Sequence, residues 1–171
     1  MGASPRFGSA FFQVKSHVLT RSTFCYPDSY FEPEDFAVAN QVMPLIQQAR
    51  ASNSDLLDDY IEAHIHGVVS IQQDIECIVL DPIYRGSEVN TLAQKLNIPI
   101  QWHNGFELDI QTMQQHPEYR GHEYIDLAKE IAVDGRITPD ILGSAVTKQG
   151  YDEQDIKKIW HYLARFGYIP K

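Results

Sequence analysis

The sequence predicts an α+β fold, with a mixed, mainly antiparallel sheet and helices over residues 1–105 and a helical C-terminal segment, residues 106–171, packed on it. Three observations point there. Short runs rich in β-branched and aromatic residues recur as far as residue 103. The run Ile75-Glu76-Cys77-Ile78-Val79-Leu80 is almost continuously apolar and too short for a helix, which suits a strand covered on both faces. From Phe106 onward, apolar residues recur at three-and-four spacing, the signature of helices with one buried face.

Taken in order, residues 9–15 and 18–26 read as two strands, joined through Ser16-His17 as a hairpin or a near pairing. Turn and helix-start residues follow at 27–29 and 32–35, and residues 36–51 read as a helix that Pro44 kinks or divides. A polar loop at 51–55 leads into a strand at 60–67, with further strands at 68–72 and 75–80. Residues 87–96 form a helix with Val89, Leu92, Ala93 and Leu96 on its buried side. Residues 98–103 read as an edge strand, because Pro99 lacks the amide a central ladder needs. Helices at 123–133, 139–147 and 152–166 complete the chain, punctuated by Gly121, Gly135 and Gly150.

The 171 residues suffice for one well-buried domain, and no internal repeat or low-complexity stretch interrupts them. A net charge of -9 argues against general nucleic-acid affinity, which rests on clustered Lys and Arg. No apolar run is long enough to cross a bilayer, and residues 1–8 carry no secretory signal, so a cytoplasmic protein with no membrane partner is expected. Cys25 and Cys77 show no CxxC spacing and read as reduced, buried thiols.

The chemistry concentrates at Tyr60-Ile61-Glu62-Ala63-His64-Ile65-His66-Gly67, where strand alternation places Glu62, His64 and His66 on one face. A solvated strand face explains the pattern too, but three titratable groups in five positions resemble the lip of a site. His64 and His66 could supply two metal ligands, with His103 third only if its strand lies adjacent; neither Cys is near the pair in sequence, and no metal is expected. Nucleophile elbows and phosphate-binding glycine loops are absent from the sequence.

The Glu62-to-Gly67 segment, followed by Val69-Ser70-Ile71 and Asp74-Ile75-Glu76-Cys77-Ile78-Val79, resembles the glutamate-bearing part of bacterial ADP-ribosyltransferases, including phage head-associated and DNA-targeting toxin enzymes. Upstream, Phe7-Gly8-Ser9 and Val18-Leu19-Thr20-Arg21-Ser22-Thr23-Phe24, ending at Asp28-Ser29, resemble the preceding strand pair of those enzymes. Over nearly the whole chain the sequence resembles a bacterial family of unknown function. Its C-terminal blocks look like Tyr119-Arg120-Gly121, Thr138-Pro139 and the stretch from Trp160 to Gly167.

The resemblance implies an ADP-ribosyltransferase-like core and mono-ADP-ribosyl transfer from NAD, used as substrate, to an unknown protein or nucleic-acid acceptor, as in a toxin or effector. Glu62 would be the catalytic carboxylate. Arg21, Ser22, Thr23, Phe24 and Tyr60 would bind the NAD, with Tyr26 as another ring for packing. Such enzymes begin with an earlier strand whose Arg or His grips NAD, and this chain starts at Met1-Gly2-Ala3-Ser4-Pro5, after that point. The core is therefore expected to be partial, and a non-enzymatic or inactive transferase-like binding module is the alternative reading.

Overall fold

The computed structural model describes residues 4–168, and its fold is α+β. In chain order the elements are β1 (Phe11–Val14), β2 (Ser22–Cys25), β3 (Phe36–Val38), α1 (Met43–Ala51), β4 (Glu62–Ile65), α2 (Ile71–Asp74) and β5 (Ile75–Leu80). Then come α3 (Glu88–Gln94), β6 (Ile100–Trp102), β7 (Leu108–Asp109), α4 (Ile110–Met113), α5 (His122–Ile131), β8 (Arg136–Ile137), α6 (Pro139–Gln149) and α7 (Glu153–Phe166).

The strands divide into two three-stranded sheets, ordered β1-β5-β6 and β3-β2-β4, and a two-stranded β7-β8 ladder. β5 is the centre of the first sheet, as its apolar run predicts, antiparallel to β1 and parallel to β6. β6 lies at the edge, and Pro99 just before it serves as acceptor only, its carbonyl taking the Ile78 amide at 3.0 Å.

The expected pairing of the first two strands does not form: β1 and β2 lie in different sheets. Residues Ser16–Arg21 coil into a 3-10 turn, and the Ser22 hydroxyl donates back to the Val18 carbonyl at 2.9 Å. This turn re-aims the chain where a hairpin needs two tight turn residues with positive φ. Likewise, residues 36–38 are a strand rather than the start of a helix. Their aromatic and branched side chains suit the sheet edge, and the helix begins at Met43, with Pro44 in its first turn where a missing amide costs nothing. The strand expected at 68–72 is replaced by α2: Val68 is solvent-exposed, and Asp74 accepts the Ser70 amide at 2.7 Å, closing one helical turn.

The C-terminal helices follow the predicted periodicity. Asp152 caps α7 by accepting the amides of Gln154 (2.8 Å) and Asp155 (3.2 Å), and Gly150 ends α6 with φ +78°. Their apolar faces meet in a core that includes Met113, Ile137, Ile159, Tyr162 and Leu163, all with no exposed surface. The short β7-β8 ladder, which two-residue strands leave invisible in sequence, ties Leu108 and Ile137 into that core. The N-terminal turn docks on α7, whose Trp160 indole donates to the carbonyls of Pro5 (3.0 Å) and Arg6 (3.1 Å). Arg165 pairs with Asp55 at 3.0 Å. Among the described residues, no helix is long and apolar enough to cross a membrane.

Candidate functional site

The site is built on the antiparallel pairing of β2 with β4, which sets Cys25 opposite Glu62, Phe24 opposite Ala63, Thr23 opposite His64 and Ser22 opposite Ile65. Strand alternation then makes two faces. One carries Thr23, Cys25, Glu62 and His64; the other carries Phe24 and Ala63 and faces a cavity.

Glu62 has three polar neighbours. One of its oxygens, Oε2, accepts the Ser29 amide at 2.6 Å and lies 3.8 Å from the Cys25 thiol that donates to it. The other, Oε1, is 3.2 Å from His64 Nε2. The Ser29 amide above all, with help from His64, lowers the Glu62 pKa, so it is ionised at neutral pH. The Cys25 thiol is shifted the other way, by burial first and by the charge of Glu62 second. With its side chain 31% exposed, Glu62 remains reachable.

On the opposite face a cavity of about 810 Å3 opens between the sheet and α1, with Phe24, Ile46, Tyr60, Ile61, Glu62 and Ala63 among its lining residues. Arg50, on the last turn of α1, also borders it and makes no ion pair among the described residues. Tyr60 closes one end: its ring packs edge-on against Phe7 at 5.4 Å and its hydroxyl donates to Asp28. Burial and the Asp28 carboxylate raise the Tyr60 pKa, so the phenol stays protonated.

The residues assigned to NAD binding from sequence are thus split. Phe24 and Tyr60 line the cavity, and Glu62 borders it with its carboxylate turned to the other face, toward Ser29, Cys25 and His64. Thr23 lies on the other face and its hydroxyl is 3.1 Å from His66 Nε2. Ser22 is buried and its hydroxyl is committed to Val18. Arg21 pairs with Asp74, the last residue of α2, at 3.0 Å and also donates to the His66 carbonyl rather than facing the cavity. Tyr26 donates to Asp59 at 2.8 Å.

Two features escaped the sequence reading. Arg50 sits on a helix whose orientation only packing decides. Cys25 stands 37 residues from Glu62 in sequence yet faces it across the ladder, and a register, which the sequence does not state, was the missing signal. The structure corrects the expectation that neither cysteine is near the histidines: Cys25, Glu62 and His64 present ligand atoms all within 4.8 Å of one another. The strand ending before His103 belongs to the other sheet, and His103 Nε2 lies 2.8 Å from the Ser9 carbonyl, so it does not complete a set with His64. His66 is occupied by Thr23.

No curated protein and no solved structure matches the chain. A family described as a protein of unknown function (DUF3626) matches residues 1–43 and 35–166, nearly the whole length, including both strands of the site and the helical segment. By that coverage the chain belongs to the DUF3626 family of proteins of unknown function.

Proposed function

We infer that this chain is a mono-ADP-ribosyltransferase-like protein that takes NAD in the cavity behind β2 and β4 and uses Glu62 as its catalytic carboxylate. The observation that carries this reading is an ionised, amide-anchored glutamate on a strand that walls a cavity whose volume suits a small-molecule site. In the proposed reaction the bond from ribose C1′ to the nicotinamide nitrogen breaks, neutral nicotinamide leaves, and an acceptor nucleophile bonds to C1′ with loss of its proton. Positive charge develops on the ribose, and a fixed carboxylate nearby stabilises it. Phe24 and Tyr60 would supply aromatic surface, and Arg50, a cation bordering the cavity, would meet the pyrophosphate.

The test is nicotinamide release and mass-detected automodification with NAD, for the wild type and Glu62→Gln. Because Gln keeps the acceptor for the Ser29 amide, the variant should fold normally and lose at least about a hundredfold in rate. Equal rates for the two proteins would remove Glu62 from the chemistry. A second reading, a non-enzymatic binding module, draws on the largely apolar cavity wall and on Arg21 being tied to Asp74. It predicts saturable binding of a ligand in the cavity, with no nicotinamide released and no effect of Glu62→Gln.

A further inference from the structure

The geometry points to a transition-metal site of the zinc class formed by Cys25 Sγ, the Glu62 carboxylate and His64 Nε2. The three donors come from two paired strands. β4 supplies Glu62 and His64 two positions apart on one face, and β2 supplies Cys25 directly opposite Glu62. A thiolate, an imidazole and a carboxylate are the ligand types that zinc combines.

The spacing fits the ion. Tetrahedral zinc with ordinary bond lengths separates a sulfur from an oxygen ligand by about 3.6 Å and a nitrogen from an oxygen by about 3.4 Å. Cys25 Sγ lies 3.8 Å from Glu62 Oε2 and His64 Nε2 lies 3.2 Å from the other oxygen, Oε1, so the carboxylate meets the two donors through different oxygens and turns one of them to the ion on binding. The remaining pair, sulfur to imidazole nitrogen, lies within 4.8 Å, and His64, at 41% side-chain exposure, is free to swing inward. The ion replaces the proton shared between the Cys25 thiol and Glu62, and that proton passes to solvent on binding.

Support around the ligands is in place. The Ser29 amide orients Glu62, while Cys25 is fully buried within the sheet, so two of the three donors are held before metal arrives. Half-exposed His64 and Glu62 leave one side open to solvent, so water takes the fourth position. Three protein ligands with one open position is the arrangement of sites that act on a bound molecule, whereas purely structural zinc sites are closed by four. A bound cation and the ribose of NAD compete for one carboxylate. Glu62 therefore holds either the cation or the ribose, and metal binding is measured without NAD.

The experiment is metal analysis of untagged protein after zinc loading and gel filtration, followed by competition against a chromophoric chelator. The wild type should hold one zinc per chain, and cobalt substitution should produce a thiolate-to-metal charge-transfer band. Cys25→Ser should remove the band, and His64→Ala should bind at least about a hundredfold more weakly. His64 is half-exposed, so its variant keeps the test valid if Cys25→Ser folds poorly. Substoichiometric zinc in the wild type, or unchanged affinity in His64→Ala, overturns the site and leaves a thiol-carboxylate hydrogen bond in its place.

Discussion

Replacing His161 by Asn should flatten the pH dependence of stability between pH 7 and pH 5. His161 lies on α7 with 3% of its surface exposed; its Nδ1 accepts the Arg120 Nε–H at 3.1 Å, and its Nε2 has no partner among the described residues. Burial first, and the Arg120 charge second, push its pKa down from 6.5 to about 4. A histidine held neutral in the folded state contributes its full stabilisation above the unfolded pKa, and loses it as pH falls from there toward the folded value. Between pH 7 and pH 5 the unfolded chain takes up most of a proton at this site and the folded chain almost none, a loss of about 2 kcal/mol.

Asn is chosen because its carbonyl can stand where Nδ1 stands, keeping the Arg120 bond while removing the titration. Urea unfolding of both proteins at pH 7, 6 and 5 isolates the effect, since the six other histidines of the chain are common to both. The variant starts lower at pH 7, having lost ring packing, but should lose about 2 kcal/mol less on going to pH 5. Parallel losses in the two proteins would refute the assignment, as would an imidazole resonance of His161 that titrates near pH 6.5 in the folded protein.

The remaining predictions test the core, the helix end and the cavity. Tyr162→Phe should cost about 1–3 kcal/mol in chemical denaturation, because the lost hydroxyl donates to the His116 carbonyl at 2.8 Å and accepts the Arg120 amide at 3.3 Å inside a fully buried cluster. Gly167→Ala should cost about 1–3 kcal/mol and lower the melting temperature, since a Cβ there would meet the carbonyl oxygens of Glu107 at 2.7 Å and Leu163 at 2.8 Å, and backbone must move to admit it. Arg50→Ala should raise the NAD concentration needed for half-saturation about tenfold with little effect on melting. Arg21→Ala should do the reverse, lowering the melting temperature by removing the Arg21–Asp74 ion pair and leaving Asp74 held by the Ser70 amide and His17 alone.

Local patterning carried much of the fold. The apolar run 75–80 announces a central strand, the three-and-four spacing after residue 106 announces α5, α6 and α7, and Asp152 with Gly150 marks where one helix stops and the next starts. Each of these depends on neighbours within a few residues, so the sequence states it directly. Where it misled, at 36–42 and 68–72, short segments combine apolar residues with both helical and extended preferences, and a sheet edge or a single carboxylate cap decided between them.

By itself, then, the sequence determined that Glu62 and His64 share one strand face, because period-two geometry admits no other arrangement on a strand. It also determined the α+β class and the helical C-terminal half. Only the tertiary structure decided what meets that face. The register of β2 against β4 brings Cys25 to Glu62, turns Arg21 and Ser22 away to other partners, and sets Phe24 and Arg50 around a cavity on the far side. Strand register and helix orientation are settled by which surfaces the whole chain can bury together, and residues 37 positions apart carry no local trace of that outcome.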